Sequence, residues 1–253
     1  MTSSFQSKLN YRVFGSGYPV VFLHGFLESL SMWEQLNFKD KFQCIEIDFP
    51  GHGDSEVDDG QNFEMSHLAI EVKGLLIDLG VERYSIVGHS MGGYVGLELM
   101  RMDKNSSKLV LLNSNFWNDS DQKVKDRVRV AKIVRQNKNI FLYEAIPKLF
   151  CNPELFNVEV KALIENAKQI SSEAMVCYSL SMSNRKNNRE VVEQRAKDVF
   201  VVQGEFDDIV PEELMKRQLN GLECESIVLS GCGHMCHVEA PDQIVNAITL
   251  FLG

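Results

Sequence analysis

The chain has 253 residues, long enough for one α/β domain carrying an insertion and too short for two independent domains of ordinary size. Hydrophobic residues make up 44% and charged residues 24%, a balance that excludes a disordered or low-complexity chain. A formal net charge of −9 argues against nucleic acid as a partner, because a phosphate-binding surface needs clustered positive charge.

From Met1 to Lys8 there is no apolar segment of the kind a signal peptide needs, and no run of about 18 apolar residues follows, so neither a leader nor a membrane span is expected. Short apolar runs suited to strands lie at 19–23, 44–47, 84–87, 108–112, 199–202 and 226–229. Helical spacing separates them, clearest at 67–79, where Leu68, Val72, Leu75, Leu76 and Leu79 share a face, and at 241–252. This alternation predicts an α/β fold: a mostly parallel central sheet with helices on both faces and its chemistry at the strand C-termini. Residues 116–197 depart from the pattern. Val124, Val128, Ala131 and Val134 fall on one helical face, Val160, Leu163, Ile164 and Ala167 on another, and no strand pattern intervenes. The expected organisation is therefore a core of 1–115 and 198–253 with 116–197 inserted as an all-helical lid.

The segment Gly88-His89-Ser90-Met91-Gly92-Gly93 follows a strand pattern and opens a helical one. A serine on so sharp a turn needs neighbours without side chains, which Gly88 and Gly92 supply, and it sits at a helix N-terminus that favours negative charge on a substrate oxygen. The plainer reading is a serine that only caps the helix. A serine hydroxyl is a weak nucleophile near neutral pH and needs a histidine, which in turn needs a carboxylate to fix its tautomer. The run 199–202 leads into Gly204-Glu205-Phe206-Asp207-Asp208, and the run 226–229 leads into Gly231-Cys232-Gly233-His234-Met235-Cys236-His237. Acid and base candidates thus follow the serine in the order Ser, Asp, His.

With these segments, His24-Gly25-Phe26, Asp48-Phe49-Pro50-Gly51-His52-Gly53-Asp54-Ser55 and Glu239-Ala240-Pro241, the chain resembles the α/β-hydrolase superfamily over most of its length. The resemblance implies Ser90 as nucleophile, His234 as base and Asp207 as acid, with the backbone N–H groups of Phe26 and Met91 as the oxyanion hole. Asp208 is the rival acid and His237 the rival base; the family spacing favours Asp207 and His234. An acid after the strand at 108–112, as in some members, would instead be Asp119 or Asp121. His24 is expected to brace the oxyanion loop, His52 with its glycines to form a tight turn beside the site, His89 to be structural, and His67 to be a surface or capping residue at the start of a helix.

The reaction implied is carboxylic-ester hydrolysis of a small molecule through an acyl-enzyme on Ser90 (EC 3.1.1.-). Relatives that cleave carbon–carbon bonds or act as lyases share the constellation, and a non-catalytic ligand-binding receptor on the same fold is the alternative from another class. One lyase-like branch, in menaquinone biosynthesis, carries arginine where this chain has Tyr94, and a dehalogenase would carry aspartate in place of Ser90. Cys232, His234, Cys236 and His237 are too crowded for tetrahedral zinc, and no glycine loop ends in Lys-Ser/Thr, so neither metal nor nucleotide cofactor is expected. Six scattered cysteines fit reduced thiols and a cytoplasmic location. Lys123, Lys125, Arg127, Arg129, Lys132 and Arg135 gather positive charge in the insertion, as a solvated face or as a means of steering an anionic substrate.

Overall fold

The computed structural model describes residues 8–253. The expectation of no leader segment therefore falls almost wholly outside the described residues. Seven strands form one sheet: β1 (Tyr11–Gly15), β2 (Tyr18–Leu23), β3 (Phe42–Ile47), β4 (Tyr84–His89), β5 (Ser106–Leu112), β6 (Val199–Gly204) and β7 (Glu225–Leu229), in the order β1-β3-β2-β4-β5-β6-β7. All pairings are parallel except β1 with β3. β1 was not legible in the sequence. It is an edge strand with four of five residues exposed, so it lacks the apolar run that marks the buried strands.

Alternate side chains of the central strands feed two cores. Val21, Leu23, Ile86, Leu109, Leu111, Val199 and Val201 face α1 (Met65–Asp78) and α2 (Met91–Met102), while Val20, Phe22, Val87, Val110, Leu112, Phe200 and Val202 pack in the other cluster. The chain leaves β2 for β3 on one side and later returns to β4 on the other. This switch in direction opens a crevice beyond the C-terminal ends of β2 and β4, the usual place for a ligand in such sheets.

Between β5 and β6 lie four α-helices and no strand: α3 (Asp121–Ala145), α4 (Asn157–Ala167), α5 (Ser172–Ser183) and α6 (Arg189–Gln194). Ser120 and Ser171 cap α3 and α5 by accepting from the amides of Lys123 and Ala174. α3 breaks at Asn137, whose backbone leaves the helical region and whose Oδ1 accepts from the Ile140 amide at 3.1 Å, so one side chain ends one helix and caps the next. Ala131 and Val134 are buried as the spacing predicts, but Val128 is exposed. Arg127 turns inward instead, because Asp119 and the Met182 sulfur hold its guanidinium. After β6 come α7 (Glu212–Leu219), the short α8 (Cys236–Glu239) and α9 (Pro241–Leu252), whose Ile244, Ile248, Phe251 and Leu252 join the second core. No described helix is long and apolar enough to cross a membrane.

Candidate active site

Adjacent strands deliver the site. Leu23 of β2 pairs with Gly88 of β4, His89 with Leu112 of β5, and Leu112 with Val202 of β6, so the loops that follow these strands meet at one edge. Ser90 sits between β4 and α2 at φ 49°, ψ −113°, a conformation that costs about 1–3 kcal/mol for a residue with a side chain. A Cβ on Gly88 would lie 2.6 Å from the Gly93 Cα, and one on Gly92 would overlap the Leu23 carbonyl. The described non-glycine residues with positive φ are Leu27, Ser90 and Asn113, each just beyond one of three neighbouring strands, β2, β4 and β5. Backbone strain is concentrated at this edge.

The Ser90 hydroxyl lies 2.9 Å from His234 Nε2, and His234 Nδ1 lies 2.8 Å from Asp207 Oδ2. Asp207 is buried. Its Oδ1 accepts from the amides of Ile209 and Val210 at 2.9 and 3.0 Å, and its Oδ2 from Asn113 Nδ2 and Gln203 Nε2, each at 3.0 Å. Burial alone would push this carboxyl up; the facing His234 and the donors outweigh it and leave it below the usual aspartate value. Asp208 is exposed. Asp119 is taken up by Arg127 and Arg185, and His237 faces Glu28 rather than Ser90.

Asn113 and Gln203 are contacts of the candidate site that sequence reasoning missed. Asn113 follows β5, the strand between those of Ser90 and Asp207, and also donates to the Gly233 carbonyl at 3.1 Å. An asparagine just past a strand end between two candidate-bearing strands was the available signal. Glu28 was missed as well. Its Oε2 accepts from the Gly25 amide at 2.8 Å and meets His89 Nδ1 at 2.6 Å, while His89 Nε2 donates to the His234 carbonyl at 3.0 Å. One buried carboxylate–imidazole pair therefore ties the loop of Phe26, the turn of Ser90 and the loop of His234 together. Burial would push Glu28 up, yet the charge of His89 holds it down to about 2; burial would push His89 down, yet Glu28 raises it.

Glu28, His89 and His237 are the candidate metal ligands among the described residues, with ligand atoms within 4.8 Å of one another. The 2.6 Å between His89 and Glu28 is shorter than the roughly 3.3 Å that two ligands keep around a tetrahedral zinc. With both His89 nitrogens bonded to oxygen acceptors, the geometry is that of an ion pair. Of the crowded Cys232, His234, Cys236 and His237, His234 turns to Asp207, His237 to Glu28, and the thiols to the carbonyls of Ser230 and Gly233.

The other glycine-, histidine- and acid-bearing motifs have structural work. His24 donates from Nδ1 to the Gly25 carbonyl at 2.8 Å and accepts the Phe49 amide at Nε2 at 3.0 Å, which fixes the start of the Phe26 loop. Asp48 accepts from the amides of Leu30 and Asp54. Glu239 accepts from the amides of Gly233 and Cys151, each at 2.7 Å, so it joins the His234 loop to the segment after α3. His67 lies 3.4 Å from Glu71 on the surface of α1.

Ser90 and His234 open into a cavity of about 380 Å³, whose apolar wall includes Phe26, Val130, Phe141, Leu149 and Met235. A strained serine at the strand-to-helix turn of a mostly parallel sheet, facing a histidine and a buried aspartate from later strands, defines an α/β hydrolase. The chain belongs to the alpha/beta hydrolase family, whose sequence profile matches residues 20–247. It is similar in structure to a thermophilic esterase from Thermogutta terrifontis, with 27% identity, a TM-score of 0.88 and coverage of 96% of this chain and 92% of that one. In sequence it is 26% identical over 245 residues to the dihydrolipoyllysine-residue acetyltransferase component of the acetoin cleaving system of Pseudomonas putida, covering 93% of this chain but only 64% of that one. It is 23% identical over 253 residues to the AB hydrolase superfamily protein YisY of Bacillus subtilis, covering 94% of this chain and 92% of the relative.

Proposed function

We propose that the protein is a serine hydrolase that cleaves carboxylic esters of small molecules, with Ser90 as nucleophile, His234 as general base and Asp207 as the acid that orients it. The observation that carries this reading is the unbroken chain of 2.9 and 2.8 Å contacts from Ser90 through His234 to Asp207 at the floor of a cavity. In the reaction His234 Nε2 takes the serine proton as Oγ attacks the acyl carbonyl. The same nitrogen returns the proton to the leaving alcohol, then activates the water that releases the acid.

The developing oxyanion is assigned to the amides of Phe26 and Met91. Supporting this, Phe26 lines the cavity beside Ser90, and Met91 begins α2, where the helix leaves its first amides without intrahelical acceptors. Each such donor is worth about 10²- to 10³-fold in rate. Residues 116–197 act as a lid over the core. The reading draws on α3, whose Val130, Ile133 and Phe141 line the same cavity as Ser90. The similarity to an esterase over 96% of the chain favours ester over carbon–carbon bond cleavage.

The test is hydrolysis of p-nitrophenyl acetate and butyrate alongside a carbon–carbon bond substrate, with Ser90→Ala as control. Ester turnover that drops at least about 10⁴-fold in the variant is expected. Turnover of only the carbon–carbon substrate, or of neither, contradicts the reading.

A further inference from the structure

Asp119 is one carboxylate with two guanidinium partners. Its Oδ1 accepts from Arg185 Nη1 at 2.6 Å and its Oδ2 from Arg127 Nε at 3.1 Å. Little solvent reaches the group: the side chains of Asp119, Arg185 and Arg127 are 3%, 4% and 15% exposed. Two cations against one anion leave a positive charge without a counter-charge. The other partners do not supply one. Arg185 stacks 4.1 Å from the Tyr94 ring and donates to the Met182 carbonyl and Asn115 Oδ1, while Arg127 Nη1 reaches the Met182 sulfur at 3.4 Å. All of these are neutral acceptors.

A largely buried charge left uncompensated is costly, and an anion brought against it is held far more strongly than in water. Arg127 is also the member of this group that lines the cavity containing Ser90. Its Nε and Nη1 are engaged, and its Nη2 has no partner among the described residues. The six cations between residues 123 and 135 accordingly divide. Lys125, Lys132 and Arg135 are exposed and do not line the cavity, whereas Lys123, Arg127 and Arg129 line it. Lys123 and Arg129 form no ion pair among the described residues, and Lys148, Glu28, Asp126 and Glu144 are the other charged residues that line the cavity.

Resting on the esterase reading above, we propose that Arg127 is a specificity residue that binds a carboxylate or similar oxyanion carried by the substrate away from the scissile bond. The preferred substrates are then esters with one free negative charge, such as monoesters of dicarboxylic acids. Guanidinium suits this task because its planar fork still offers a free edge after two nitrogens are engaged.

The experiment compares p-nitrophenyl hydrogen glutarate with p-nitrophenyl methyl glutarate, a pair equal in acyl reach and different in charge. The wild-type protein is expected to favour the anion on the order of tenfold to a hundredfold in kcat/KM, the worth of one charge-assisted hydrogen bond. That preference shrinks as salt rises from about 50 to about 500 mM. Arg127→Gln brings the ratio close to one, Arg127→Lys retains part of it, and the double variant Lys132→Gln/Arg135→Gln keeps it whole. Should Arg127→Gln not fold, the wild-type protein still decides: glutarate inhibits hydrolysis of the neutral ester at least about tenfold more tightly than glutaramide. Equal turnover of the two esters, or equal inhibition by glutarate and glutaramide, overturns the anion site while leaving the esterase reading intact. No turnover of either ester counts against the esterase reading instead.

Discussion

At the C-terminal edge of the sheet, glycines stand where backbones touch: a Cβ on Gly92 would overlap the Leu23 carbonyl, and one on Gly204 the Gly233 carbonyl. Between residues 116 and 197 the chain contains no glycine at all. There the helices are placed by side chains, through the Ser120 and Ser171 caps, the Arg127–Asp119–Arg185 group and a layer that includes Met175, Tyr178 and Met182. The contrast separates two kinds of specification. Backbone packed on backbone fixes a geometry to fractions of an ångström and tolerates no added atom, which suits the groups proposed to react. Side-chain contacts can be exchanged one at a time, which suits a wall that sets what enters.

The largest effect should come from the acid. Asp207→Asn keeps the shape of the site but not its charge, and should lower kcat for p-nitrophenyl butyrate by up to about 10⁴-fold. Asp208→Asn, at an exposed position, should change it by less than about twofold. A larger loss at Asp208 would transfer the role to that residue.

Gly92→Ala challenges the backbone side of the comparison. The added methyl has nowhere to go, so thermal or urea unfolding should report a loss of about 3 kcal/mol or more, or no folded protein. A stable, active Gly92→Ala enzyme would show that the elbow is not fixed by close approach.

Beneath the elbow, buried histidines give the stability a definite pH slope. Burial pushes His237 down to about 3 against an ordinary 6.5, so below pH 6.5 the unfolded chain takes up a proton that the native ring refuses. Stability therefore falls as the pH drops from 6.5 towards 3. Burial pushes His24 and His52 down as well, with the same sign. Glu28, at about 2 against 4.5, contributes fully above pH 4.5 and loses that contribution as the pH falls through about 2. His89, raised by Glu28, works in the opposite sense: its contribution is complete below 6.5 and is lost as the pH rises past its native value. The melting temperature should fall between pH 7 and pH 5, and less steeply in His237→Gln. An unchanged slope in that variant would mean the ring protonates freely in the fold.

The smallest effect belongs to the helical insertion. Phe141→Ala enlarges the cavity wall and should shift preference from p-nitrophenyl acetate towards longer acyl chains by a few-fold, at a cost of about 1–2 kcal/mol in stability. A loss of activity as large as that of Asp207→Asn would erase the distinction between the two regions.

The same difference explains what could be read from the amino acids. Five strands stood out because buried parallel strands are continuous apolar runs, and β7, though an edge strand with three of five residues exposed, because it still carries Ile227, Val228 and Leu229 in a row. Ser90, Asp207 and His234 were candidates because glycine-bounded turns follow three of these strands. β1 escaped notice because an exposed edge strand leaves no such run. Asn113 escaped because its contact joins segments far apart in sequence, reaching Asp207 across 94 positions, whereas Gln203 lies only four residues before Asp207 and escaped because a polar residue ending an apolar run carries no mark of what it will face. The inward turn of Arg127 was equally hidden. Helical spacing placed Val128 on the buried face, and only the pairing with Asp119 reverses the choice.

The most direct measurement is intact-protein and peptide mass spectrometry after reaction with a fluorophosphonate probe. One adduct per chain, on the peptide containing Ser90, lost in Ser90→Ala and formed far more slowly in Asp207→Asn, is the expected result. A fully reactive Ser90→Ala protein, or a wild-type protein labelled at another residue, would contradict the assignment of Ser90 as the nucleophile.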